Sequence, residues 1–242
     1  MSGIRIAVAG ANGRMGQALV HAIGQSGDLT LSGIVGRGGD AKGVLARTDV
    51  LIEFTAPGAV AELASAAARA RVAFVSGTTG LSREEEAAIR EAAKAVPVLR
   101  SENMSVGITL LARLAGQAAR ALPGFDIEIV EMHHRAKQDA PSGTALALGR
   151  AAAGGRGQTP GEPKMRGPGS GARKDGEIGF ASLRGGTVAG EHEVIFAGAH
   201  ERIVLKHIAE DRSIFAGGAL AAARWIAGQK PGLYTMKDVL GL

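Results

Sequence analysis

Residues 8–16 read VAGANGRMG, with glycines at 10, 13 and 16. The stretch follows an apolar run at 4–9 and precedes residues 15–23, whose apolar positions have helical spacing. Strand, glycine turn and helix in that order match the dinucleotide fingerprint. One glycine allows the tight turn, another lets backbone approach a pyrophosphate, and a third packs helix against strand. The helix N-terminus then offers its N–H groups to the phosphates. Asn12 stands where the second glycine usually falls, and the next glycine comes one residue later. Asn tolerates left-handed backbone angles, so the turn is retained.

Outward from this turn the pattern repeats. Strand-like runs at 29–35, 49–54, 72–75 and 96–99 alternate with helical segments. Pro57 opens an alanine-rich helix to about Arg69, and Ser82 with Glu85 forms a capping-box signature. This βα rhythm predicts a Rossmann-type, doubly wound parallel sheet of the α/β class. After residue 104 the rhythm changes. A long amphipathic helix is expected over 106–122, a strand over 125–132 and a helix over 142–153. Residues 156–176, rich in Gly, Pro and charge, read as a long mobile loop. Strands at 178–184, 187–196 and 202–209 follow, then a helix at 215–226 and the tail GLYTMKDVLGL. Consecutive strands point to a mixed or antiparallel sheet. Two domains are expected: 1–104, completed by 215–242, and an inserted α+β domain at 105–214.

The end of the second strand bears on the cofactor. It reads Val35-Gly36-Arg37-Gly38-Gly39 and lacks the acid that commonly holds an NAD ribose. Arg37 can pair with a 2′-phosphate through its fork of donors, helped by Arg14. This favours NADPH over NADH, with Asp40 left as a group that could reach a ribose. Gly77, Thr78, Thr79 and Gly80 follow one strand; Ser101, Glu102, Asn103 and Met104 follow the next. Carboxyl ends of parallel strands border the ligand crevice, so these residues are expected beside the nicotinamide.

Composition narrows the classes. The chain has 242 residues, 45% of them hydrophobic, so real cores can form. It has no cysteine, which excludes disulfides and thiol catalysis and suits a reducing cytoplasm. MSGIRIAVAG opens as a strand with no basic n-region, so no secretory signal is expected. No apolar run is long enough to span a bilayer. The net charge of +5 is local, with Arg150, Arg156, Lys164, Arg166, Arg173 and Lys174 in one stretch. No aromatics interleave these cations, so they fit small anions or a solvated loop rather than nucleic acid.

A second motif lies at 131–144, EMHHRAKQDAPSGT. It follows a strand. His133 and Lys137 can supply a proton and a cation, and Ser142, Gly143 and Thr144 open a helix whose N–H groups can hold a carboxylate. Spacing alone leaves open which of His133 and Lys137 delivers the proton. A lysine donor needs its pKa lowered by burial or by neighbouring cations.

With these residues in view, the chain closely resembles the dihydrodipicolinate reductase (4-hydroxy-tetrahydrodipicolinate reductase) family of bacterial lysine and diaminopimelate biosynthesis. The resemblance runs through GANGRMG at 10–16, DVLIEFT at 49–55, GTTG at 77–80 and NMSVG at 103–107. It continues through DIEIVEMHHRAKQDAPSGTA at 126–145, IGFASLRGG at 178–186, GEHEV at 190–194 and the tail GLYTMKDVL. It implies reduction of a cyclic dicarboxylate by NADH or NADPH and a homotetramer built through the second domain; no metal is needed, since hydride transfer uses the cofactor's own chemistry, and a cytoplasmic location is expected. It makes His133 the general acid–base residue and Lys137 the proton donor, with His134, Gly143 and Thr144 on the substrate. Gly10, Ala11, Asn12, Gly13, Arg14, Met15, Arg37, Gly77, Thr78, Thr79, Ser101, Glu102, Asn103 and Met104 would contact the cofactor. Family members often carry an acid at the position of Gly36, so this chain is expected to favour NADPH. The segment from Arg37 to Asp49 is short, which would open the adenine side of the pocket. Two other readings compete: a dehydrogenase of another small carboxylate, and a non-catalytic NADPH sensor that would need neither His133 nor Lys137.

Overall fold

The computed structural model describes residues 3–36 and 39–242. From the N-terminus the elements are β1 (Ile4–Ala9), α1 (Arg14–Gly24), β2 (Leu29–Val35), α2 (Ala41–Leu45), β3 (Val50–Glu53), α3 (Pro57–Ala70), β4 (Ala73–Ser76), α4 (Arg83–Ala92) and β5 (Pro97–Arg100). Next come α5 (Val106–Ala121), β6 (Asp126–His133), α6 (Gly143–Gly155), β7 (Lys164–Met165), β8 (Ile178–Arg184), β9 (Gly190–Ala197) and β10 (Arg202–Ala209). The chain closes with α7 (Ser213–Ile226), β11 (Gly232–Tyr234) and α8 (Met236–Val239). It forms two compact units, Met1–Val106 with Ser213–Leu242, and Gly107–Arg212.

The first unit is a six-stranded parallel sheet in the order β11-β5-β4-β3-β1-β2. Its strands are apolar on both faces, as a doubly covered sheet requires. Ile6 and Val8 join one core with α1 and α7 residues such as Leu19, Ile23 and Leu220. Ala7 and Ala9 join the opposite core with Val60, Ala64 and Ile89 of α3 and α4. The strand order reverses between β1 and β3, the position where such sheets bind ligands. α4 begins with the capping box expected from sequence: Ser82 Oγ accepts from the Glu85 N–H at 3.3 Å, and the Glu85 carboxylate accepts from the Ser82 N–H at 2.7 Å.

The second unit is a mixed sheet, β10-β9-β6-β8-β7. β6 runs antiparallel to β9 and parallel to β8. One face carries Ile127, Ile129, Phe180, Val194 and Phe196, packed on α5 and α6 through Ile108, Leu111 and Leu148.

Short elements depart from the sequence expectation. α2, β11 and α8 were not anticipated, because five, three and four residues carry too little periodicity to show. Local bonds define them instead: Asp40 Oδ1 accepts from the Gly43 N–H at 2.8 Å, and Thr235 with Asp238 caps α8. β9 begins at Gly190 rather than at 187. The expected mobile loop at 156–176 holds the short strand β7 and is tied down by its own cations. Arg166 pairs with Glu128 at 2.7 Å and with Glu177 at 2.6 Å, and Arg173 pairs with Asp126 and Glu128. Part of the basic cluster is therefore neutralised internally.

Candidate active site

At the end of β1, Gly10 adopts φ +85°, which falls in the left-handed region. The left-handed residue of the turn is thus Gly10 and not Asn12. A Cβ on Gly10 would collide with the Phe54 carbonyl, and one on Gly16 would collide with the Gly10 carbonyl and Ala11. Both glycines are therefore fixed by close backbone approach. The N-cap of α1 is Gly13, which has no side chain to accept from the helix, so the first N–H groups of α1 have no side-chain cap. A cavity of about 510 Å³ opens there, walled by Gly10, Ala11, Asn12 and Gly13, by Gly36 and Gly39 after β2, and by Thr55 and Ala56 after β3. Glu62 of α3 also lines it. This glycine cradle at a helix N-terminus fits a dinucleotide pyrophosphate.

Arg37 lies outside the described residues. Arg14 and Asn12 are exposed and Met15 is half-buried. Asp40, a candidate for the ribose, caps α2. Met104 is 1% exposed and belongs to the core, so only its backbone is available to a ligand. Ser101 Oγ donates to the Asn103 carbonyl at 2.7 Å, and Asn103 Oδ1 accepts from the Ser105 N–H at 2.8 Å, closing a tight turn after β5. Glu102 is exposed beside Arg100.

Gly77 and Thr78 sit over a feature absent from the sequence reading. Glu53, the last residue of β3, is fully buried. Its carboxylate accepts from Ser76 Oγ at 2.5 Å, Thr78 Oγ1 at 2.7 Å, Thr55 Oγ1 at 2.9 Å and the Thr55 N–H at 3.1 Å. One anion thereby ties together the ends of β3 and β4. Gly77 lies against the Phe54 ring, where a Cβ would clash, while Thr79 and Gly80 reach solvent.

In the second unit the inward row of β6 runs Ile127, Ile129, Glu131, His133. Core gives way to polar site at Glu131, which is 1% exposed. Opposite it across β9 stands buried His192. Arg184, at the end of β8, pairs in register with His133. The Glu131 carboxylate accepts from Arg184 Nη1 at 2.9 Å and Nη2 at 2.8 Å, a bidentate clamp. It also lies 2.5 Å from His133 Nδ1 and accepts from the Ser142 N–H at 3.3 Å. Ser142 caps α6, its Oγ accepting from the Ala145 N–H at 3.1 Å and lying 3.0 Å from His192 Nε2. Gly143 and Thr144 form the first turn of α6, and a Cβ on Gly143 would stand in open space. Lys137 is held by Asp139 at 2.7 and 2.8 Å. His134 Nε2 accepts from Arg212 at 3.4 Å. The structure therefore gathers His133, Lys137 and the α6 N-terminus into one frame, and adds Glu131, Arg184, His192 and Arg212.

Burial pushes the Glu131 carboxyl up, but Arg184, then Ser182 and His133, outweigh it and hold the group at about 2. Burial lowers His133, as do the charges of Lys137 and Arg184, while Glu131 opposes them. Burial, then the neighbouring His133, takes His192 down to about 4. Asp139 is lowered chiefly by its hydrogen bond from Lys137. Among the described residues no cluster of acids and histidines has the arrangement of a metal site, and no helix is long and apolar enough to cross a membrane.

The chain matches the family model described as dihydrodipicolinate reductase, N-terminus, over residues 4–104, and that described as dihydrodipicolinate reductase, C-terminus, over 107–240. It is 50% identical to the 4-hydroxy-tetrahydrodipicolinate reductase of Parvibaculum lavamentivorans, covering 99% of this chain and 98% of that one. Its identity to the enzyme of the same name from Methylocella silvestris is 52%, covering 100% and 98%. Among solved structures, a dipicolinate-bound dihydrodipicolinate reductase from Paenisporosarcina sp. TG-14 superposes with a TM-score of 0.83 at 25% identity, over 98% of each chain. An engineered D-amino acid dehydrogenase bound to NADP+ shares the fold, with a TM-score of 0.57 at 16% identity over 97% and 93%.

Two of these groups link stability to pH. Glu131 has its folded pKa depressed from 4.5 to about 2, so its contribution is complete above 4.5 and is lost as pH falls toward 2. His192 has its folded pKa depressed from 6.5 to about 4, so the unfolded chain binds more protons across that window. Stability therefore falls as pH drops from 6.5 to 4. Melting temperature measured against pH should decline on acidification, and His192→Gln should flatten the part between 6.5 and 4. Equal slopes in the two proteins would remove His192 from this account.

Proposed function

The chain belongs to the dihydrodipicolinate reductase family, and from that premise we propose how its residues divide the reaction. It is an oxidoreductase that reduces 4-hydroxy-tetrahydrodipicolinate to tetrahydrodipicolinate, in lysine and diaminopimelate biosynthesis. The observation that carries the assignment of roles is the single frame formed by His133, Lys137 and the α6 N-terminus.

The substrate carries a 4-hydroxyl that the product lacks. Its loss as water leaves a conjugated imine, and a hydride and a proton then complete the reduction. The nicotinamide, when bound, supplies the hydride. Gly10, Ala11, Asn12, Gly13, Arg14 and Met15 hold the pyrophosphate at the α1 N-terminus. Gly77, Thr78, Thr79, Ser101, Glu102, Asn103 and the Met104 backbone flank the nicotinamide. Gly143 and Thr144 receive one substrate carboxylate; the open space at Gly143 supports such an approach. His134, with Arg212 beside it, faces the same anionic substrate. His133 acts as the acid–base group and Lys137 as the proton donor.

The cofactor is NAD(P)H, and the finer reading is a preference for NADPH. The glycines at 36 and 39 and the use of Asp40 as a helix cap support it, since no acid after β2 stands ready for an NAD ribose. A homotetramer fits the second unit's outer sheet face, where Leu183, Val204 and Ile208 are each about half exposed. A cytoplasmic location belongs to the same reading.

Lys137→Ala should lower turnover by about 10²-fold or more while NADPH binding, followed by fluorescence, stays nearly unchanged. The assay couples NADPH oxidation to the upstream synthase with pyruvate and aspartate semialdehyde. Retained turnover would sink the role of Lys137, and absence of coupling would indicate another substrate. Arg37→Ala should raise the Michaelis constant for NADPH more than that for NADH, and equal effects would reject contact with a 2′-phosphate. Sedimentation should show a species four times the 24.6 kDa chain, and a monomer at micromolar concentration would refute the tetramer.

A further inference from the structure

We propose that Glu131, clamped by Arg184, is the positioning residue of proton delivery: it fixes His133 with Nδ1–H toward the carboxylate and Nε2 toward substrate. This rests on the reading of His133 as the acid–base group.

Glu131 and His133 are two apart on β6 and therefore share a face. A carboxylate at 2.5 Å from Nδ1 accepts a proton from that nitrogen, so neutral His133 carries its hydrogen there and presents a lone pair at Nε2. Gly190 keeps that side clear, because a Cβ on it would stand 3.1 Å from Nε2. Glu131 cannot swing away. Each of its oxygens receives one Arg184 nitrogen, and Oε1 also receives the Ser142 N–H. Arg184 is held in turn. Its remaining N–H groups donate to the carbonyls of Leu183 at 2.6 Å, Asp139 at 2.8 Å and Lys137 at 3.3 Å. All five guanidinium donors are engaged. The same pair thus sets the His133 tautomer, the backbone that carries Lys137, and the start of α6. Four groups face His133: Glu131 on its own strand, Lys137 on the following turn, Arg184 on β8 and His192 on β9; burial and the first three set the direction of its titration.

Glu131→Gln is the test. The amide can donate to Nδ1 and so turn His133 to the opposite tautomer. Turnover should fall on the order of 10³-fold, as when the carboxylate that orients a catalytic histidine is made an amide. NADPH binding and dipicolinate binding should change by less than about three-fold, the scale of a lost surface contact rather than of the site. The limb of the pH–rate profile that belongs to His133 should move to lower pH, because the anion that favoured its protonation is gone. Nitrogen NMR of His133 should show the hydrogen moved from Nδ1 to Nε2. Glu131→Asp should restore part of the turnover. Removing one partner of a buried pair can itself unfold a protein, so Glu131→Gln with Arg184→Met gives the same measurements without a lone buried charge. A folded single or double variant with wild-type turnover and an unmoved pH profile would overturn the proposal. His133→Ala separates the two levels. If that variant keeps full turnover, the reading of His133 fails. If it is inactive while Glu131→Gln matches wild type, only the positioning role fails.

Discussion

The second unit's site is organised by one ion pair, Arg184 with Glu131. A carboxylate placed at an inward position of β6 must be compensated, because an isolated charge in apolar surroundings is unstable by many kcal/mol. Arg184 supplies the compensation from the neighbouring strand in a planar, two-point geometry. A lysine at position 184 would give a point charge and could not meet both oxygens and three carbonyls together. The geometry of the turn from His133 to Ser142 then follows from electrostatics rather than from apolar packing. That turn is also hydrogen-bonded to its neighbour, with Gly185 donating to the His133 carbonyl and Arg135 to that of Gly186.

The first unit solves the same problem differently. Glu53 is as buried as Glu131, yet the donors around it are three hydroxyls and two backbone amides. No cation is among these donors, which come from the end of β4 and from the loops after β3 and β4. The two buried acids share a structural task, since each joins the ends of adjacent strands where those strands give way to functional loops.

Much of this was legible in the sequence, for reasons that differ by element. The doubly covered strands declared themselves as apolar runs, and the glycine turn at 10–16 by its place between strand and helix. The cap of α4 was visible because its two partners are three residues apart. His133, Lys137 and the α6 start lie within a dozen residues, so proximity in sequence reported proximity in space. Arg184 and His192 did not show, because their link to Glu131 depends on the register of β6 with β8 and β9, which no local pattern encodes. A signal did exist. Glu131 continues the inward parity of Ile127 and Ile129, and an acid at a core position calls for a partner. Glu53 at the end of the run VLIE carries the same signal.

The return of the chain to its first sheet has a consequence for biogenesis. α7 supplies Ala216, Ala219, Leu220, Ala223 and Ile226 to one core of the first unit, and β11 pairs with β5 at the sheet's edge. These residues leave the ribosome after the second unit. The nascent sheet therefore waits, with one apolar face covered only by α1 and one edge unpaired, until the entire second unit has been synthesised. Gly107–Arg212 is continuous and has its own core, so it can reach its native state first. The unit begun before the other is thus completed after it, and it is the one that needs protection from aggregation on the way.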